Sequence, residues 1–201
     1  MDYFDIVVVG SGAGLMVAEA AISNGKKCAI IEKSKFGGTC LTKGCIPSKM
    51  LVYPADLIRE SERADRVGIS FNKPMVNWDK ISKRMWNQID YSIAIEQNLK
   101  QSENLRVYNG TAEFTGENKM RVKLNSGGFS DEIQSEIFII ANGSRSFIPH
   151  INNLEKTGYI TPETFFGNKF PRSPWSSLVI VGGGAIGAEF AHIFSALGTK
   201  V

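Results

Sequence analysis

Two cysteines, Cys40 and Cys45, have a type and spacing that suggest chemistry. On an ideal helix, residues five positions apart point about 140° away from each other, so a bridge between these sulfurs requires an irregular turn. Gly44 and Pro47 favour such a turn. Because local distortion makes a disulfide easier to reduce, the spacing predicts a redox-active pair.

The residues after this pair favour the reactive form of the thiols. A helix following Pro47 would direct its positive end toward the sulfurs, and Lys49 adds a cation. Both effects favour the thiolate, which is the species that attacks a disulfide or donates charge to a flavin.

A zinc site is the alternative use of these cysteines. The spacing C-x₄-C is not that of zinc ligands, and the other soft ligands are Cys28, His150 and His192, which lie in no motif. We therefore predict no metal site. Cys28 falls inside a predicted strand and is interpreted as a small buried hydrophobe.

A glycine-rich turn, GSGAG, lies between a predicted strand at 5–9 and a predicted helix at 15–23. The next predicted strand, 27–32, ends in Glu32, so the segment predicts a βαβ unit. Backbone N–H groups of the turn and the helix dipole can hold a pyrophosphate, while a carboxylate at Glu32 can accept a bond from a ribose hydroxyl. Leu15 stands where the third glycine of G-x-G-x-x-G is usual, and a purely structural turn is the alternative. The predicted dinucleotide contacts are Gly10, Ser11, Gly12, Ala13, Gly14, Glu32 and Lys33.

The rest of the chain alternates helical and strand-like segments. Helical spacing covers 48–66 and 79–101, where Trp78, Trp86 and Tyr91 are interpreted as packing residues. Short β segments at 106–108, 112–115, 120–124 and 132–140 predict an antiparallel excursion that returns to the sheet. A second strand, glycine turn and helix is predicted at 178–181, 182–187 and 188–197, after a proline-rich connection.

These patterns predict an α/β fold with a doubly wound, Rossmann-like domain at 1–150 and the beginning of a second such domain at 151–201. A lone βα unit cannot bury its apolar face, so we expect the sequence to be part of a longer protein or half of an assembly.

Composition limits the possible partners. The 201 residues carry a formal net charge of +3 with no long run of either sign, which indicates neither a nucleic-acid nor a membrane partner. The acidic N-terminus lacks the features of a secretory signal, and three cysteines are too few for a disulfide scaffold. We therefore expect a soluble, cytoplasmic protein.

The segment at 37–49, GGTCLTKGCIPSK, resembles the signature of class I pyridine nucleotide-disulfide oxidoreductases. The resemblance extends along the whole chain and is greatest to dihydrolipoamide dehydrogenases, with mycothione and mercuric reductases as alternatives. Ser48 stands where glutathione reductases usually have lysine, which disfavours glutathione-type substrates. Thr42 and Lys43 replace the commoner Asn and Val.

The resemblance implies bound FAD, a site for NAD or NADP, and a homodimer that acts on a small-molecule or lipoyl-domain dithiol. It also implies that Cys40 meets the substrate, that Cys45 lies beside the flavin, and that Lys49 pairs with Glu189 near that ring. Further cofactor contacts are implied for Gly38, Thr39, Cys40, Cys45, Lys49, Thr111, Ala112, Asn142, Gly143, Ser144, Gly182, Gly184, Ala185, Ile186, Gly187 and Glu189.

The implied mechanism is a relay from substrate dithiol through the cysteine pair and FAD to NAD(P). The family supplies the acid and base from a C-terminal dimerisation domain, which these residues do not include. We therefore expect this sequence to bind FAD but to turn over dithiols poorly. A non-catalytic FAD-binding fragment is the alternative.

Overall fold

The computed structural model describes all residues, 1–201, and has an α/β fold with two compact units. The first unit comprises Met1–Thr42 and Asp90–Arg145, and the second comprises Lys43–Ile89 and Ser146–Val201. Each unit is therefore assembled from two separate stretches of chain. The predicted boundary near residue 150 concerns domains of the complete protein and stays a prediction.

The chain forms seven strands and eight helices. The strands are β1 (Asp2–Tyr3), β2 (Ile6–Val9), β3 (Cys28–Glu32), β4 (Leu105–Gly116), β5 (Lys119–Leu124), β6 (Ile133–Gln134) and β7 (Ile137–Ile140). The helices are α1 (Ala13–Ser23), α2 (Gly38–Thr42), α3 (Cys45–Arg63), α4 (Trp78–Ile89), α5 (Tyr91–Gln101), α6 (Leu154–Thr157), α7 (Pro162–Phe165) and α8 (Ala185–Ala196). A 3₁₀ turn, Ala64–Val67, follows α3.

The first unit is built on parallel strands in the order β7, β2, β3, β4. Every residue of β3 is buried, as expected for a continuous apolar strand that is covered on both faces. Helices α1 and α5 cover one face through Ala18, Ala21 and Leu99. The other face packs against Met120, Val122 and Ile133 of the antiparallel strands.

The predicted βαβ unit and antiparallel excursion are confirmed. Strands β2 and β3 are parallel and flank α1 in the chain. The second half of β4 pairs antiparallel with β5, β5 pairs antiparallel with β6, and β7 then returns beside β2 in parallel.

The expectation of a strand at 178–181 is wrong. Only an isolated bridge between Ser177 and Lys200 forms there, and Val179 and Val181 are 88% and 66% exposed. A parallel strand requires a hydrogen-bonded neighbour along its length, and the apolar run alone does not provide one. The following helix, α8, begins at Ala185 rather than at residue 188.

The second unit has an aromatic core between α3, α4, α7 and α8. Its fully buried side chains are Leu51, Met85, Ile89, Phe165, Ile193 and Phe194. Trp78 stacks on Phe170 with ring centroids 5.4 Å apart, and Trp86 meets the same ring edge-on at 5.3 Å. The packing interpretation is thus confirmed for both tryptophans, whereas Tyr91 is 58% exposed.

No helix in the chain combines the length and the apolar character that crossing a bilayer would need.

We predict that Phe165→Ala destabilises the second unit by about 3–5 kcal/mol, because it removes a fully buried ring from the aromatic core. All three tryptophans lie in this unit, so tryptophan emission during urea denaturation reports its unfolding alone. Phe147→Ala is the matched control, since Phe147 is 87% exposed. Equal denaturation midpoints for the two variants would contradict this account of the core.

Candidate functional site

A glycine cradle lies at the carboxyl ends of β7, β2 and β3. Gly10 has a positive φ of 100°, and a Cβ there would lie 2.3 Å from the carbonyl oxygen of Ala141. Gly38 has a φ of 68°, and a Cβ there would lie 2.4 Å from the Cα of Gly12. Three backbone segments therefore meet at distances that only glycine permits.

The cradle presents free donors at the start of α1. The N-cap residue is Gly12, which has no side chain that could cap the helix, and no acidic residue occupies the first turn. Ala13 begins the helix and Gly14 is buried within it. Unpaired N–H groups at a helix N-terminus attract anions, so this arrangement fits a pyrophosphate.

Glu32 ends β3 and is tied to the cradle by Ser11. The backbone N–H and the hydroxyl of Ser11 donate to Oε2 at 2.9 and 2.8 Å. The backbone N–H and the hydroxyl of Ser34 donate to Oε1 at 2.9 and 3.1 Å. A carboxylate has about four acceptor positions, so these serines occupy all of them.

These hydrogen bonds decide the ionisation of Glu32. Burial by itself raises the pKa of the carboxyl, but the bonds from Ser11 and Ser34 outweigh burial and hold the pKa below its ordinary value. The group therefore stays ionised although the residue is only 8% exposed.

The remaining predicted contacts of the first unit lie on three elements. Gly38, Thr39 and Cys40 lie on α2, which begins at the cradle glycine Gly38. Thr111 and Ala112 lie on β4 in the half that pairs with β5. Asn142, Gly143 and Ser144 follow β7, and the Cα of Asn142 lies 3.0 Å from the Cβ position of Gly10. Lys33 is exposed, and its carbonyl accepts a bond from Asn125.

The second glycine turn lies in the second unit. Gly184 is the N-cap of α8 and makes no side-chain capping bond, and Ala185 begins the helix. A Cβ at Gly187 would lie 2.4 Å from the carbonyl oxygen of Gly182, so the turn and the helix approach closely. Ile186 is 57% exposed.

The cysteines lie in different environments. Cys40 lies on α2, Cys45 is the first residue of α3, and both are exposed. The prediction that α3 begins after Pro47 is wrong, because Pro47 is accommodated within the first turn, where the missing N–H costs nothing. Burial raises the pKa of Cys28 to about 11, so this thiol is inert at neutral pH.

Lys49 lies one turn after Cys45 on α3 and forms an ion pair with Glu189 of α8. The hydrogen bond from Lys49 is the main reason that the pKa of Glu189 is lowered, and the Ser48 side chain adds to it against the opposing effect of burial. The pairing that the sequence resemblance implied is thus present within one unit.

Sequence reasoning missed several polar contacts. Lys43 pairs with Glu163 at 2.6 Å, and Asp56 lies 2.7 Å from Nε2 of His192. These contacts join residues more than 100 positions apart, so no local sequence pattern predicts them. Ser34 was also missed, although a hydroxyl two residues after a strand-ending carboxylate is a recognisable signal.

A groove of about 750 Å³ runs along 105–109 of β4, and none of the predicted site residues lines it.

Comparisons with known proteins agree with this geometry. The family model for pyridine nucleotide-disulphide oxidoreductases matches residues 4–201. The chain belongs to this family. The family assigns it to the flavoprotein disulfide oxidoreductases and implies FAD as the flavin.

Three relatives show where the chain lies within the family. Mycothione reductase of Mycobacterium tuberculosis (strain ATCC 25618 / H37Rv) is 35% identical over 205 residues, which cover 100% of this chain and 43% of that protein. Dihydrolipoyl dehydrogenase of Bacillus subtilis (strain 168) is 33% identical, with 98% of this chain and 43% of that protein covered. The Cu(II) complex of the HOCl-induced flavoprotein disulfide reductase RclA from Escherichia coli matches with a TM-score of 0.83 and 28% identity, covering 100% of this chain and 42% of that one. The chain thus spans less than half the length of these relatives.

We predict that Glu32→Gln lowers the free energy of unfolding of the first unit by about 1–3 kcal/mol at neutral pH, because it removes charged hydrogen bonds from a buried site. The folded-state pKa of Glu32 is below the ordinary value of 4.5, so the stabilisation is complete above that pH. It is lost as the pH falls through the folded-state value. The difference between wild type and variant therefore shrinks on acidification.

Urea denaturation followed by far-UV circular dichroism at several pH values measures this difference. Glu117→Gln, at an exposed position of the same unit, is the control. A wild-type advantage that stays constant on acidification would contradict the assignment.

Proposed function

We propose that this chain is the flavin-binding and redox-active part of an FAD-dependent dithiol/disulfide oxidoreductase. The observation that carries the proposal is the start of α3. There Cys45 is followed one turn later by Lys49, which is held by Glu189. The cysteine pair supplies the reversible disulfide, and the lysine supplies a fixed cation beside it.

The first unit would hold the adenosine diphosphate half of FAD. Gly10 and Gly12 let the turn pack closely on Ala141 and Gly38. The N–H groups at the start of α1 would bind the pyrophosphate, and Glu32 would accept a ribose hydroxyl. When bound, the flavin supplies the two-electron chemistry. The glycine turn before α8 would serve a nicotinamide dinucleotide in the same way, with NAD and NADP both open.

The cysteines would carry the exchange with substrate. A substrate thiolate attacks one sulfur of the Cys40/Cys45 disulfide and forms a mixed disulfide, which a second substrate thiolate then resolves. The substrate leaves as a disulfide, and the two cysteines remain as a dithiol. Electron transfer in the opposite direction, from the cysteine dithiol to a substrate disulfide, would make the protein a disulfide reductase.

Dihydrolipoamide is the substrate that we propose, free or on a lipoyl domain, because Ser48 follows Pro47 as in lipoamide dehydrogenases. Mycothione disulfide is the second candidate, which the 35% identity to mycothione reductase favours. A mercuric reductase-like activity is the third, supported by 31% identity to the enzyme of Streptomyces lividans. Steady-state assays with a panel of these substrates on the complete protein would separate the candidates. We further propose that the complete protein is a cytoplasmic homodimer.

We predict that Ser34→Ala leaves the affinity for FAD unchanged or raises it about twofold, because the ribose hydroxyl must displace one of the four donors on Glu32. The Ser34 hydroxyl is the easiest to displace, since its bond of 3.1 Å is the longest of the four and Ser34 is exposed whereas Ser11 is buried. Glu32→Gln should weaken FAD binding about tenfold or more, which corresponds to about 1.4 kcal/mol or more. Flavin fluorescence titration measures both, with the exposed Ser70→Ala as control. A large loss of affinity in Ser34→Ala would show that this hydroxyl contacts the cofactor.

We predict that the purified chain, reconstituted with FAD, shows a flavin absorption band that gains a long-wavelength shoulder when a dithiol is added. The shoulder arises when a thiolate lies against the flavin, so Cys45→Ser should abolish it, whereas Cys28→Ser should not, because Cys28 is buried in the sheet. A colourless protein after reconstitution, or an unchanged spectrum in Cys45→Ser, would refute the proposed function.

A further inference from the structure

Three polar contacts join α3 to α8 within the second unit. They are the contacts between Lys49 and Glu189, between Asp56 Oδ1 and His192 Nε2 at 2.7 Å, and between the Arg59 guanidinium and Ser195 Oγ at 2.8 Å. We call this set the polar seam. The last two contacts have no part in the cofactor or thiol chemistry proposed above.

The polar seam follows the helical repeat. On α8 its members are separated by three residues each, and on α3 they are separated by seven and then three. Such spacings place side chains on one face of a helix over successive turns. The contacts run in the same order along both helices, so they act on a single helix-to-helix interface.

The members of the polar seam are also connected to one another. The Ser195 hydroxyl donates to the backbone carbonyl of His192 at 3.2 Å while it accepts from Arg59. Arg59 is held in turn by Glu62 of the same helix at 2.8 Å. The Arg59 and Asp56 contacts of the polar seam therefore meet at His192 and Ser195, and the Lys49 contact is linked to them through the shared backbone of α3 and α8.

The first contact of the polar seam needs this support. The Lys49 and Glu189 side chains are 60% and 34% exposed, and an exposed ion pair between flexible side chains contributes little by itself. The apolar packing of Leu51 against Ile193 and Phe194 holds the helices together but is not directional. Hydrogen bonds have narrow distance and angle limits, so they can fix how far one helix slides or turns against the other.

We infer that Asp56, His192 and Ser195 are positioning residues that set the register of α8 against α3 and thereby hold the Glu189 carboxylate on Lys49. The purpose of that pair rests on the proposed function. The positioning itself is a property of the chain alone and needs no cofactor.

The test is the pKa of Glu189 in the full 201-residue chain, measured by carboxyl-carbon NMR titration. Lys49 lowers this pKa through its hydrogen bond, so the pKa reports how well the pair is held. Asp56→Leu removes both the charge and the hydrogen bond at similar size, and it is the decisive variant because two explanations predict opposite signs for it. If Asp56 acts through its charge alone, removing an anion lowers the pKa of Glu189. If Asp56 positions α8, losing the contact loosens the Lys49 pair and raises it.

We expect Asp56→Leu to raise the proton affinity of Glu189 about two- to threefold, with Lys49→Met as the upper limit. Ser195→Ala changes no charge and should act in the same direction, so it carries the test if Asp56→Leu does not fold. Lys119→Gln, which breaks an ion pair with Glu132 in the other unit, is the control and should have no effect.

An unchanged or lowered pKa of Glu189 in folded Asp56→Leu or Ser195→Ala overturns the inference. Because no flavin is present in this measurement, its outcome is independent of the spectrum that tests the proposed function.

Discussion

The cradle in the first unit depends on one constraint, the close approach of backbone segments that leaves no space for a Cβ atom. Gly10 against Ala141 and Gly38 against Gly12 bring three chain segments to the same edge of the parallel strands. Ser11 lies between two of these glycines and donates to Glu32 with both its N–H and its hydroxyl. The uncapped N-terminus of α1 and the ionised carboxylate at the end of β3 therefore lie in the same cradle.

Local patterns predicted much of this arrangement. The glycine turn, the strand before it and the acid at the end of the next strand are neighbours in sequence, and their geometry follows from short-range sterics. The alternation at 120–124 likewise predicted a strand that the structure contains. Cys40 and Cys45 were predicted to be a redox pair from their spacing and from the signature around them, because both residues lie within one short segment, and this role stays a prediction.

Contacts between distant residues could not be predicted in this way. His192 has no motif, and its partner Asp56 lies 136 positions earlier in the chain. The apolar run at 178–181 has strand propensity but lacks the paired neighbour that would make it a strand. Each unit is made of two separate stretches of chain. Which stretches pack together depends on tertiary contacts, and the hydrophobic periodicity of the sequence does not reveal these contacts.

The divided second unit has a consequence for the order in which the chain acquires its structure during synthesis. The apolar faces of α3 and α4, with Leu51, Met85 and Ile89, are completed by Phe165, Ile193 and Phe194 from the far end of the sequence. Contacts between such distant segments form slowly, because a long loop must close first. On the ribosome, these two helices would therefore stay without their apolar partners until residues 165–194 had been translated, an interval in which a chaperone can bind them.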